Sequence, residues 1–381
     1  MKSYQVCWDG PVYRTSGIGI ASREYALALH RKGVNVKIMT ARGARFNSTL
    51  RRLALKPLAR DRKKVLVFHG TPNSLPMIKA RKQFKYILLN TVWETTKIPK
   101  QWFPQINRFD AVCVPSVQNK RAMKRSGVKK PVFIVPHGVN TLAYTPSNKK
   151  LYLGLPKGTF VFVSVFTFQH RKNPETLLKA YWQEFTSRDK VALVIKTSGF
   201  GKDTGAVIKA RIQAYKKKLG YGRNAAPVRI ITGTTGSRMI KGMYTAANAF
   251  VLPSRGEGVG LPYLESLSSG VPVIATRWGG HMDFLNARNS FLVGYRLAPP
   301  ARSMNRSISF NFRSLFAQQG QLWAEPSLAS LKKQMRFAYE HPALCRAKGI
   351  QGRRDMRRWT WSRAASSMRV AIENTLRTKR G

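Results

Sequence analysis

Short apolar runs and amphipathic stretches alternate twice along this chain of 381 residues. In the first pass "YQVCW", "VNVKIM", "VLVFHG", "YILLN", "AVCVPS" and "VFIVP" predict strands, each being a brief run of β-branched or aromatic residues bounded by turn formers. Between them, stretches such as Ile20 to His30 and Val117 to Arg125 carry apolar residues at helical spacing. A polar stretch with Gly and Pro, "VPHGVNTLAYTPSNKKLYLGLPKG", interrupts the pattern. It then restarts with "TFVFVSV", "VALVIK", "VRIIT", "AFVLPS", "VPVIAT" and "SFLVGY". Such alternation predicts an α/β protein whose parallel sheets are covered by helices. The expected organisation is a doubly wound domain over 1–145, a second over 146–357, and a last helix over 358–381 packing back on the first.

Composition supports a sizeable core, with 43% of residues apolar. No apolar run reaches the roughly 18 to 20 residues that span a bilayer, and "MKSYQVCWDG" lacks the apolar block of a signal peptide. The expectation is a soluble cytoplasmic chain, with a peripheral place at a membrane left open. Cys7, Cys113 and Cys345 are too few and too far apart for a disulfide framework or a zinc site, and are expected as reduced thiols.

Charge changes the picture more. Lys and Arg number 68 against 16 Asp and Glu, a net charge of +52. The excess is no tail: residues 1 to 150 hold 30 basic and 5 acidic residues, the remainder 38 and 11. Such a surface attracts phosphates of nucleic acid, anionic lipid or another polyanion, although a basic bias of the source's proteome produces the same numbers.

Against that background, two of the few acids stand eight positions apart in "SRGEGVGLPYLESLSSGVPVIAT". "AFVLPS" reads as a strand, "RGEGVG" as a turn and "LPYLESLSSG" as a helix, with Pro262 in its first turn and Gly270 at its end. No Ser, Thr, Asp or Asn precedes Leu261 to cap this helix, so its first amides are open to an anion that the helix dipole also favours. In open parallel sheets ligands sit beyond the carboxyl ends of strands, where this turn lies. Glu257 and Glu265 can line one pocket there. An isolated pair serves equally well as a solvated turn residue and a complement to the helix dipole.

The whole stretch resembles the donor-binding motif of the retaining glycosyltransferases of family 4, which have the GT-B fold. "RKNPETLLKAYWQEF", "VALVIKT", "MYTAANAFVLPS", "ATRWGGHMDFLNARNSFLVGY" and "WAEPS" resemble that family's segments in order, and "GIGIASREYALALHRKGVNVKI" resembles its opening glycine loop and helix. The resemblance implies two Rossmann-like domains facing across a cleft and transfer from a nucleotide sugar to a glycan, glycolipid or polyanionic acceptor. It implies donor binding by the turn and helix residues Gly258, Gly260, Leu261 and Pro262. It makes Lys172 the diphosphate-binding lysine. Phe166 and Thr167 stand where the family has an arginine, a part that Arg171 can take.

A departing nucleoside diphosphate needs positive charge around it. No Asp-x-Asp pair occurs to carry a divalent metal, so Arg171, Lys172, Lys196 and backbone amides are expected to do that work without metal or other cofactor. "TSGIGIAS" is not a dinucleotide fingerprint, because Ser22 stands where the third glycine belongs; Gly17 and Gly19 suit a loop approaching donor phosphates, or a plain turn. Where many family members place a histidine near the sugar, this chain has Trp93 and Glu94. Glu94 can bind a donor or acceptor hydroxyl, accept a proton, or sit in a buried ion pair. His69 and His137 end strands and serve either as structural residues or in the cleft. Acceptors kept open are a glycan or glycolipid and, because of the charge, DNA carrying modified bases. A non-catalytic nucleic-acid-binding protein on the same fold is the alternative of a different class.

Overall fold

All six apolar runs of the first half become strands of one parallel sheet in the computed structural model, which describes residues 4–39, 48–201, 203–233, 235–305 and 307–378. The strands are β1 (Tyr4–Asp9), β2 (Asn35–Ile38), β3 (Lys63–His69), β4 (Tyr86–Asn90), β5 (Ala111–Val114) and β6 (Val132–Ile134), in the order β2-β1-β3-β4-β5-β6. Helices α1 (Gly17–Arg31), α2 (Ser48–Leu55), α3 (Met77–Gln83) and α4 (Val117–Arg125) belong to the same half.

The start of α1 differs from the sequence reading. Gly17 and Gly19 lie in its first turn rather than in a loop, because the Ser16 hydroxyl accepts the Gly19 amide at 3.4 Å and so begins the helix there. Gly19 is needed for packing, since a Cβ on it would lie 2.3 Å from the Arg14 carbonyl oxygen.

The second sheet is also parallel, with β7 (Phe160–Thr167), β8 (Val191–Ser198), β9 (Val228–Ile231), β10 (Ala249–Leu252), β11 (Val273–Thr276) and β12 (Ser290–Val293) in the order β12-β11-β10-β7-β8-β9. The run "SFLVGY" does not continue as one strand. It breaks at Gly294, whose amide donates to the Ser330 hydroxyl, and β13 (Tyr295–Ala298) pairs antiparallel with β14 (Trp323–Pro326) in a separate ribbon that the apolar pattern did not predict. The accompanying helices are α5 (Pro174–Glu184), α6 (Gly205–Lys218), α7 (Ser237–Ala246), α8 (Leu261–Ser268), α9 (Ala301–Met304), α10 (Arg313–Phe316), α11 (Leu328–Glu340) and α12 (Pro342–Met356). Val161, Phe162, Val163, Leu193, Val194, Phe250 and Val251 are buried in this sheet, each contributing roughly 1.5–3 kcal/mol of apolar burial.

The chain divides into two units, Met1–Gly138 with Trp359–Gly381, and Val139–Arg358. The break after Gly138, earlier than the 145 read from the sequence, has a local cause. Gly138 packs so tightly on the Thr360–Trp361 backbone that a Cβ would lie 2.2 Å from the Trp361 nitrogen. Just beyond it, the Tyr144 carbonyl accepts from the Ser268 hydroxyl and the Arg353 guanidinium, tying the following residues to the second unit. The C-terminal helix Trp361–Thr378 groups with the first unit, its Trp361 ring edge-on to Tyr25 of α1 at 5.3 Å.

Each sheet has one point where strand order reverses. In the first unit it lies between β1 and β3, in the second between β7 and β10. At such a point the loops leaving adjacent strands diverge and open a crevice at the strands' carboxyl ends.

Candidate active site

At the reversal point of the second sheet, the chain leaving β7 makes a tight turn through His170–Lys172 into Asn173. Asn173 takes a left-handed backbone, φ 59°, a conformation that Asn tolerates better than most residues. Its side-chain oxygen accepts the Thr176 amide at the start of α5, and its amide nitrogen donates to the Pro253 carbonyl beyond β10 at 3.0 Å. The Arg255 amide donates to the Arg171 carbonyl at 2.8 Å, a second tie between the same exits.

These ties put Glu257, from the turn after β10, against two cations from the turn after β7. Lys172 Nζ donates to Glu257 Oε1 at 2.6 Å, and Arg171 Nη1 lies 3.3 Å from Oε2. Glu257 is 4% exposed. Burial alone pushes its carboxyl up, but the Lys172 ammonium and then the Arg171 guanidinium outweigh it and hold the group below its ordinary value. The Gly280 amide donates to the Glu257 carbonyl at 2.8 Å, bracing this turn from a third segment. Neighbouring His281 is buried, bonds the Thr276 carbonyl through Nε2 at 2.7 Å, and is held below its ordinary value by burial.

Beside this cluster α8 follows directly on Gly260, which has φ 82° and offers no side-chain cap. A side chain there would be strained, and its Cβ would strike the Tyr263 ring at 2.4 Å. Leu261 and Pro262 form the first turn as expected, and Gly258 is buried in the preceding turn. Glu265 lies farther along α8, half-buried, with Tyr244 donating to Oε2 at 2.9 Å. Burial raises its pKa, opposed by the hydroxyls of Tyr244 and Tyr144. Thus one carboxyl of the pair sits low beside two cations, and the other sits high beside two phenols.

Lys196 does not follow β8 as read from the sequence but lies within it. It is buried, and its ammonium donates to the Gly233 carbonyl at 2.7 Å and the Thr197 carbonyl at 3.2 Å, so backbone rather than an open loop receives its charge. Arg255, in the same turn as Glu257, is also committed inward. Its Nε is 3.0 Å from both Glu325 carboxylate oxygens, and Nη1 donates to the His170 carbonyl at 2.5 Å.

The other predicted residues belong to the first unit. His69 ends β3 beside the reversal point, edge-on to Trp8 at 5.8 Å and to Tyr25 at 6.1 Å. Burial, and then neighbouring His137, lower its pKa to about 3; burial lowers His137 to about 4. The buried Nδ1 atoms of both imidazoles and the Asn90 amide nitrogen carry no hydrogen bond among the described residues. Trp93 is buried, its indole donating to the Thr95 hydroxyl at 2.7 Å and the Lys97 carbonyl at 2.8 Å, while Glu94 beside it is half-buried. Among the described residues, no group of three or more His, Cys, Asp or Glu is arranged to hold a metal ion. No helix described is long and apolar enough to cross a membrane.

Asn173, Tyr244, Tyr144 and His281 support the site and were not singled out from sequence. The Asn-Pro pair at 173–174 is a readable turn signal. Nothing local marks the two tyrosines as partners of a glutamate.

Residues 148–309, all within the second unit, match the family model described as "Glycosyl transferases group 1". A D-inositol 3-phosphate glycosyltransferase of Corynebacterium jeikeium is 30% identical over 39% of this chain and 36% of its own length. The chain thus matches about a third of the length of such curated relatives. The sucrose-phosphate synthase of Thermosynechococcus elongatus superposes with a TM-score of 0.71 at 17% identity, over 99% of this chain and 100% of that one. An Anabaena protein, Alr3699/HepE, solved with UDP and glucose, gives 0.65 at 11% identity over 97% and 99%. The fold is therefore α/β of the GT-B class, built from two Rossmann-like units, and its second unit is similar in sequence to group 1 glycosyl transferases.

Proposed function

We propose that the chain is a glycosyltransferase of the family 4 type that moves a sugar from a nucleoside-diphosphate donor with retention of configuration. One observation carries the reading: two cations converge on one buried carboxylate at the reversal point of the second sheet, beside an uncapped helix. A diphosphate placed there gains from ammonium, guanidinium and helix amides. Glu257 orders the cations before a donor arrives. In the proposed step an acceptor hydroxyl oxygen bonds the anomeric carbon, the carbon–oxygen bond to phosphate breaks, and the departing phosphate oxygen takes the hydroxyl proton. No protein nucleophile is required. Glu265, with its raised pKa, is proposed to hydrogen-bond a sugar hydroxyl. Glu94 is proposed to bind an acceptor hydroxyl.

No divalent metal is required in this scheme, a reading that rests on the missing Asp-x-Asp pair and the paired Arg171 and Lys172. Calorimetry with UDP and GDP in excess chelator tests it: retained binding is expected, and full loss of binding and donor hydrolysis overturns it. The anomeric configuration of the product, read by NMR, tests retention.

A polyanionic acceptor, DNA included, is favoured by one surface. Arg121, Lys124 and Arg125 are exposed on α4, with Lys120 half-buried beside them, and α4 contains no acid. Reversal of these four to Glu is expected to relieve inhibition by polyphosphate while sparing donor hydrolysis. Unchanged inhibition and acceptor use assign the acceptor to neutral glycans.

A further inference from the structure

A second polar groove lies in the Val139–Arg358 unit, between α6 and residues 307–311, with a volume near 670 Å³. Asp203, Arg211, Tyr215, Lys218 and Phe310 are among its lining residues; Arg171, Lys172, Glu257 and Glu265 are not. Its wall is fixed from behind. Glu175 Oε1 accepts from the Ser307 hydroxyl at 3.0 Å, the Ile308 amide at 3.0 Å and the Ser309 hydroxyl at 3.1 Å, and the Phe310 carbonyl accepts the His170 amide at 2.8 Å. The Tyr215 hydroxyl is likewise held, on the Glu175 carbonyl.

Two features of the groove have no role in the donor site. The Asp203 side chain is 9% exposed; its Oδ1 pairs with Arg211 at 2.9 Å, while its Oδ2 is buried with no hydrogen bond among the described residues. A buried carboxylate oxygen without a donor is costly, and native sites that hold one are completed by a partner. Next to it Phe310 stacks on Phe200 at 5.4 Å with 16° between the rings, and Phe312 braces both edge-on. The stacked pair nonetheless remains open to solvent, Phe200 at 38% and Phe310 at 37%.

The chemistry selects among ligands. Arg211 and Lys218 by themselves would suit a phosphate, but the Asp203 carboxylate paired with Arg211 repels one. A polyol satisfies every group: its hydroxyls donate to Asp203, its oxygens accept from Arg211 and Lys218, and the C–H face of a pyranose lies on Phe310. Concave sites with a few convergent polar groups and an aromatic wall are the usual form of small-ligand pockets. We infer that this groove binds one sugar unit of a neutral oligosaccharide, with Asp203 as hydroxyl acceptor and Phe310 as the stacking surface. The groove's lining shares no residue with the donor cluster, and the inference does not require that the chain transfer sugar.

The test uses the full chain without donor and a panel of neutral gluco-, galacto- and manno-oligosaccharides of about four to six units, followed by saturation-transfer NMR and calorimetry. At least one is expected to bind, and Asp203→Asn and Phe310→Ala each to weaken it about tenfold or more while UDP binding stays within about twofold. Phe310→Ala leaves the Asp203–Arg211 pair intact, so it decides the matter if Asp203→Asn lowers the melting temperature. Failure of the whole panel to bind, wild-type affinity in Phe310→Ala, or displacement of the sugar by heparin oligosaccharides in preference to neutral ones overturns the inference.

Discussion

The two sheets reverse strand order in the same manner, yet their reversal points carry opposite chemistry. In the first unit the side chains there are aromatic rings and an imidazole: Trp8, whose indole donates to the Ser22 hydroxyl at 2.8 Å, then Tyr25 and His69. In the second they are an ammonium, a guanidinium and a carboxylate. His69 and Glu257 are equally hidden, each 4% exposed, but the outcome differs. Desolvation dominates for His69 because no counter-charge among the described residues offsets it, so it stays neutral. Desolvation is outweighed for Glu257 because two cations do, so it stays ionised. Burial alone therefore does not set the charge state of a group; burial together with its partners does.

The largest expected break in this comparison is functional. Lys172→Ala and Glu257→Gln should each lower donor turnover about 10²–10³-fold, the scale of losing one preorganised electrostatic contact, whereas His69→Gln should cost less than about tenfold. Comparable rates in the Lys172 variant and the wild type would show that the charged point is structural. Lys172→Ala should also destabilise the second unit by about 2–4 kcal/mol, since it leaves a buried carboxylate with one cation, and Glu257→Gln in the same chain should restore part of that loss.

Acid should act on the two reversal points over different pH ranges. An imidazole lowered from 6.5 to about 3 in the fold binds its proton in the unfolded chain first, so its stability contribution is present above pH 6.5 and fades as pH falls toward 3. His137, at about 4, adds to the same loss. Glu257, depressed below 4.5, contributes stability above that pH and loses it only as pH falls further. Hydrogen exchange resolved by unit should therefore show the first unit weakening from about pH 6.5 downward by roughly 3 kcal/mol or more per imidazole. The second unit loses stability over the same range through buried His281 and His170, and loses more below about pH 4.5 through Glu257. No change in the first unit's slope in His69→Gln and His137→Gln would refute the assignment.

Asn173→Ala should destabilise by about 1–3 kcal/mol, losing a left-handed residue and two ties between β7 and β10, while Asn173→Gly should retain the backbone part. Thermal melts of the two variants distinguish these contributions. The smallest effect expected is that of Tyr244→Phe, about 1 kcal/mol. Losing that donor raises the Glu265 pKa further. A group with a raised folded pKa stabilises the fold only at low pH, so the loss should appear near neutrality and vanish below the ordinary carboxylate range, as pH-dependent melting would show.

The strands were legible because they are local: "YQVCW", "VFVSV" and "AFVLPS" announce themselves by composition and bounding turns, and every parallel strand falls on such a run. The turn and helix around Glu257 and Glu265 were legible for the same reason, through glycines and a proline at fixed offsets. The β13–β14 ribbon was not, because Tyr295–Ala298 is mostly exposed and pairs with a segment whose apolar pattern predicts no strand. Lys196 was misplaced by the same limit, since an apolar run shows that a strand is present but not where it ends or which carbonyl its lysine finds.

What the sequence determined by itself is the set of elements and the unusual scarcity of acids, so that each Glu in a turn drew notice. What the tertiary structure decided is partnership. Glu257 and Lys172 are 85 residues apart and meet only because β7 and β10 are neighbours in the sheet. Tyr244 reaches Glu265 across two elements, and Asp203 lies against residues 307–311 by way of a loop that Glu175 holds. Periodicity is a property of a few consecutive residues, whereas a charge state depends on desolvation and on ions brought near by chain crossings. For that reason a one-dimensional pattern names the acids and bases, and only packing makes one carboxyl low, another high, and two imidazoles neutral.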